Sequence, residues 1–133
     1  MNEYMNRVSQ QIFSSFDTGV HPSTSQPERF YHGFVLGLMA ELGSKYVITS
    51  NRESGFGRYD VMIAPKDKEK NAYILEFKVF NKRMESSLED TVQSALAQIE
   101  EKNYEAALIA EGITKEQIRK YGFAFEGKKV LIG

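Results

Sequence analysis

Near the amino terminus, Tyr4, Val8, Ile12 and Phe16 recur four apart with Met5 and Phe13 beside them, which predicts an amphipathic helix over 2–16. The stretch DTGVHPSTSQ (17–26) is rich in Ser, Thr, Gly and Pro and reads as a loop. Pro27 then suits the first turn of a second helix, which runs to about Gly43. Its apolar residues Phe30, Tyr31, Phe34, Val35, Leu36, Leu38, Met39 and Leu42 lie on almost every side, the pattern of a central helix covered by its neighbours. Gly33 and Gly37, on one face, would let another backbone approach closely.

From Lys45 the period changes. Tyr46, Val47 and Ile48 predict a short strand, and SNRESGFG (50–57) a turn-forming loop. RYDVMIA (58–64) predicts a second strand stopped by Pro65, and the charged turn KDKEKN leads to a third, AYILEFKVF (72–80), so that strands two and three form a hairpin. Ser87 and Asp90 have capping-box spacing, and Leu88, Val92, Ala95, Leu96 and Ile99 mark one face of a helix to about Asn103. AALIA (106–110) lacks alternation and reads as a strand buried on both faces. A short helix over 115–120 precedes a final hairpin, FAFEGKKVLI. A strand that follows a helical crossover implies an α/β fold with a mixed sheet.

The length of 133 residues fits one domain with one core, read as a helix and loop over 1–26 and a core over 27–133. Hydrophobic residues at 41% and charged residues at 26% predict a folded chain. The absence of cysteine excludes a disulfide scaffold, a thiolate metal site and a Cys nucleophile. No apolar run is long enough to span a membrane, and MNEYMNRVSQQ lacks signal-peptide order, so a cytoplasmic protein without membrane contact is expected. A net charge of -1 argues against a global basic field for nucleic acid. Division along the chain changes that reading. Residues 45–83 carry nine basic and five acidic residues and 112–133 five and two, whereas 84–111 carry one and seven. The neutral sum conceals a basic segment beside an acidic helix.

Strand three carries the candidate chemistry. Side chains alternate between faces, so Tyr73, Leu75, Phe77 and Val79 share one face and Ala72, Ile74, Glu76, Lys78 and Phe80 the other. A carboxylate and an ammonium between apolar residues form either an ordinary solvent-facing pair or a site, since covered charges must be paired or hold a metal. The hairpin brings Asp60, on a face with Met62 and Ala64, beside them. Two hard carboxylates suit Mg²⁺ or Mn²⁺, with Lys78 available to steady an activated water or developing charge, the outline of a phosphodiester hydrolysis site.

Asp60, then fifteen residues, then Glu76-x-Lys78 on adjacent strands resembles the PD-(D/E)xK nuclease superfamily. The wider string SNRESGFGRYDVMIAPKDKEKNAYILEFKVF, with FYHGFVLGLMAEL upstream and ALAQIEEKNYEAALIAEGI and KYGFAFEGKKV downstream, resembles one bacterial branch of it. Tyr59 stands where the superfamily name has proline and leaves Asp60 intact. The resemblance covers residues 28–132. It implies a restriction-endonuclease-like core with a mixed sheet of four to five strands, Mg²⁺ or Mn²⁺ as cofactor, DNA as substrate and an AAA-ATPase-like domain as partner.

The superfamily often draws a further acid from the helix before the sheet, which nominates Glu28 and, four residues on, His32; by the plainer reading Glu28 favours a helix amino terminus and His32 is a satisfied histidine. Gln98 lies where related nucleases place a glutamine near metal or DNA, whereas Tyr104, six residues later, reads as core. Arg52, Glu53 and Arg58 flank the glycine loop, either gripping phosphate or bridging internally. Glu89, Asp90, Glu100 and Glu101 read as a solvated helix face. Two function classes follow: a metal-dependent deoxyribonuclease, and a non-cleaving interaction module for nucleic acid or an ATPase domain. The apolar face of the first helix also suits a homodimer.

Overall fold

In the computed structural model, residues 26–53, 58–126 and 129–133 are described; the helix predicted over 2–16 and the loop to residue 25 lie outside them. Strands β1 (Tyr46–Glu53), β2 (Arg58–Pro65) and β3 (Ala72–Val79) form an antiparallel meander. Strand β4 (Ile118–Glu126) runs parallel to β3, and β5 (Lys129–Ile132) closes the edge antiparallel to β4. The result is one five-stranded mixed sheet in the order β1-β2-β3-β4-β5. Parallel strands cannot be joined by a tight turn, and the crossover from β3 to β4 carries helices α2 (Leu88–Lys102) and α3 (Tyr104–Ala110). Helix α1 (Gln26–Leu42) precedes the sheet. This is the mixed α/β architecture of a restriction-endonuclease-like core.

The period of two along β2 and β3 sorts their side chains into two cores. Tyr59, Val61, Ile63, Leu75 and Phe77 turn to α1 and pack on Tyr31, Phe34 and Leu38, with Phe123 and Phe125 of β4 completing the cluster. Phe77 is its hub, meeting Tyr31 and Phe34 edge-on and Phe123 at 4.7 Å between ring centres. On the opposite face Ala64, Ala72 and Ile74 pack against Ile99 of α2, Leu108 of α3, Ile113 and Ile118. α1 is therefore not buried all round as its composition suggested: Leu36 and Met39 are 68% and 54% exposed, because the sheet covers one side of it only.

The close approach expected at Gly37 occurs elsewhere. A Cβ on Gly37 would meet nothing within 4 Å, whereas one on Gly122 of β4 would lie 2.8 Å from the carbonyl oxygen of Val92 and 3.1 Å from Cβ of Ala95. Gly122 lets α2 settle onto the sheet. Gly122→Ala is expected to push the helix off and cost about 1–3 kcal/mol, read from urea denaturation.

Several boundaries differ from the sequence expectation. β1 continues through the polar residues 49–53 because all eight of its positions pair with β2, from Tyr46 opposite Pro65 to Glu53 opposite Arg58. AALIA is the body of helix α3, not a strand: only Leu108 of the helix is buried, and Ile109 is 49% exposed. A short apolar run without alternation fits either element, and alanine favours the helix. Asn103, in the left-handed region at φ 54, separates α2 from α3. The helix expected over 115–120 is a single 3₁₀ turn at Lys115–Gln117, after which Ile118 begins β4. Ser87 caps α2 as expected, accepting from the backbone N–H of Asp90, while the Asp90 carboxylate accepts from Ser86 one residue earlier.

Candidate active site

The β2–β3 register sets Asp60 directly opposite Glu76. Opposite residues on an antiparallel pair have Cβ atoms roughly 4.5–5.5 Å apart. Both carboxylates leave the sheet on the face that carries α2 and α3, and both are buried, at 3% and 0% exposure. Two like charges so close and so dry require a cation. Lys102, the last residue of α2, supplies one: its Nζ lies 3.5 Å from Oδ2 of Asp60 and 3.6 Å from Oε1 of Glu76. Tyr104, at the start of α3, donates from its hydroxyl to the same Asp60 oxygen at 2.6 Å, and its ring centre lies 5.8 Å from the Lys102 ammonium.

Tyr104 packs against the second core cluster, as its sequence reading has it, and its hydroxyl in addition reaches Asp60. Burial first, and then the hydrogen bond to Asp60, push its hydroxyl above the usual phenol range. A raised folded-state value means that its contribution to stability is complete below about pH 10 and is lost as pH rises through the folded value. Wild type is expected to lose more stability between pH 9 and pH 11 than Tyr104→Phe does, in paired urea melts.

Lys78 shares the Glu76 face of β3, but its ammonium turns along the strand, donating to Oγ of Ser94 at 2.6 Å and to Oε2 of Glu85 at 3.2 Å. Glu85 in turn accepts from the Asn81 backbone at 2.8 Å and from the Thr91 hydroxyl at 3.2 Å. These bonds fix the loop between β3 and α2. That loop walls an open groove beginning at Lys78 and lined by Asn81, Lys82, Arg83, Glu85 and Ser94. Met84 projects from it at 84% exposure.

The other nominated residues are distributed more widely. Glu28 lies in the first turn of α1, and Arg52, Glu53 and Arg58 lie at the end of the β1–β2 pairing; their side chains are outside the described residues. His32 is exposed on α1, whose packing face meets the other side of the sheet, and its ring meets Tyr31 edge-on at 5.6 Å. Gln98 is half-buried on α2, one turn before Lys102. Glu89, Asp90, Glu100 and Glu101 are exposed as expected, although Glu100 joins Glu105 in pairing with Lys120 of β4. Lys102 is the residue that sequence reasoning missed. A signal existed: positions 92, 95, 99 and 102 continue the buried stripe of α2 at helical spacing, so a lysine there points inward.

The family model of the PD-(D/E)XK nuclease superfamily matches residues 26–133. The chain belongs to that superfamily. A comparison with curated proteins finds no match. PD-(D/E)XK nucleases typically use divalent metals, and the donor set here fits one. Although no group of three or more His, Cys, Asp or Glu side chains gathers among the described residues, Mg²⁺ binds through one or two carboxylates and keeps waters and phosphate oxygens for the rest. Asp60 and Glu76 are such a pair. Among the described residues no helix is long and apolar enough to cross a membrane.

Proposed function

We propose that this superfamily member is a deoxyribonuclease that hydrolyses phosphodiester bonds, with Asp60 and Glu76 holding Mg²⁺ or Mn²⁺ and Lys78 assisting the attacking water. The observation that carries the reading is the buried, directly opposed Asp60–Glu76 pair. When bound, the metal supplies neutralisation of phosphate charge and an acidified water. The protein's share is positional: the sheet fixes the two carboxylates and Tyr104 holds the orientation of one of them. Lys78, Lys82 and Arg83 along the groove suit the phosphates of a nucleic-acid strand. Glu28 is a candidate third acid, and His32, Arg52, Arg58 and Gln98 are candidates for substrate contact or support.

A small domain with a weak local basic field gains grip from a partner, for which an AAA-ATPase-like domain in the same or another chain, or a second copy of this chain, is proposed. A second reading, a non-cleaving interaction module, draws on the engagement of Lys78 with Glu85 and Ser94. Incubation with single-stranded, linear and circular DNA in Mn²⁺ separates the two readings. Cleavage that EDTA abolishes is expected, and intact DNA in every form would favour the module.

A further inference from the structure

Lys102 has a place in the site that the nuclease reading does not use. Its ammonium stands between two buried carboxylates, 3.5 Å from one and 3.6 Å from the other. Both separations exceed the roughly 2.7–2.9 Å of a charge-assisted hydrogen bond. The head group thus occupies the space to which both carboxylates draw a cation. An ammonium and a divalent ion cannot share that space, since they repel strongly in a site with little water.

We infer that Lys102 is a resident counter-ion, holding Asp60 and Glu76 together in the metal-free protein and displaced toward solvent when a divalent metal enters. This inference rests on the nuclease reading and adds an exchange of cations to it. Charge favours the exchange: two carboxylates and one ammonium sum to -1, whereas two carboxylates and one divalent ion are neutral. The surroundings permit it as well. Lys102 ends α2 on a flexible four-carbon stem; its Nζ is buried while the side chain as a whole is 19% exposed, so the exposed stem gives the head a path to water. Asp60 keeps its orientation when the lysine leaves, because the Tyr104 hydroxyl holds Oδ2 independently at 2.6 Å. Lys78 does not compete for the position, being tied to Ser94 and Glu85. The site divides two lysines between two tasks, one anchored to the loop and one movable.

The experiment uses the full chain, labelled with an amine-reactive reagent and read residue by residue by mass spectrometry, with calorimetric Mn²⁺ titration in parallel. Mn²⁺ is expected to raise labelling of Lys102 severalfold, with the exposed Lys66 and Lys68 unchanged as internal references. Lys102→Met, which keeps the stem and removes the charge, is expected to bind Mn²⁺ about tenfold more tightly than wild type. Mn²⁺ binding without increased Lys102 labelling overturns the exchange and leaves the nuclease reading standing. Equal or weaker Mn²⁺ binding by a folded Lys102→Met does the same. Absence of Mn²⁺ binding in both proteins overturns both.

Discussion

Asp60→Asn is expected to abolish metal-dependent cleavage while leaving the fold in place. The amide keeps the shape of the side chain and an oxygen that accepts from Tyr104, which donates to Oδ2 at 2.6 Å. It also relieves repulsion with Glu76, leaving one carboxylate for the Lys102 ammonium at 3.6 Å. Stability in EDTA is therefore expected within about 1 kcal/mol of wild type. The chemistry has no such compensation. Loss of groups that merely orient metal ligands costs ~10–100-fold, so loss of a charged ligand is expected to lower cleavage by at least about 100-fold. The paired measurement is initial cleavage rate in Mn²⁺ against a urea melt in EDTA. Equal rates for the two proteins would remove Asp60 from the site; a collapsed fold would give it a structural role instead.

Lys102→Met is expected to have the opposite profile, with a large cost to the metal-free fold. Removing the ammonium leaves Asp60 and Glu76 opposed and buried, with side chains 5% and 1% exposed. Breaking a buried ion pair by removing one partner typically costs about 3–5 kcal/mol, because the remaining charge is uncompensated. The methionine stem retains most of the packing of the lysine, so the loss is electrostatic in origin. In EDTA the urea midpoint is expected to fall accordingly. Saturating Mn²⁺ then restores more stability to the variant than it adds to wild type, since the metal replaces the missing positive charge. A variant as stable as wild type in EDTA would mean that the lysine contributes nothing to holding the carboxylates.

The central hairpin was legible in the sequence because its signals agree. Alternation along 59–64 and 72–79 sorted the side chains of Asp60 and Glu76 onto one face, and the short charged turn required antiparallel pairing. Register across a hairpin follows from those two facts. What failed depended on information that is not local. AALIA is apolar enough for a buried strand, and only its packing through Leu108 against the sheet decides for a helix. The all-round apolar character of α1 gave no hint of which side meets the sheet. Lys102, and the hydroxyl contact that Tyr104 makes besides its core packing, were missed for a related reason. Each reaches the carboxylates from within the crossover, far from the hairpin in sequence, and a lysine at the end of a helix is ordinarily read as a dipole partner in water. Only the continuation of the 92, 95, 99 stripe to position 102 marks it as inward-facing.

The site is assembled from two parts of very different sequence range. Asp60 and Glu76 are joined through neighbouring strands of one hairpin, whereas the Tyr104 bond to Asp60 spans 44 residues. Native proteins open in cooperative units that tend to coincide with such supersecondary motifs. A partial opening that lifts the end of α2 and the start of α3 away from the sheet would release the lysine and the tyrosine together and leave the carboxylate pair in register. An opening confined to the crossover, whose two helices meet at Asn103, would therefore expose the carboxylates without unfolding the hairpin.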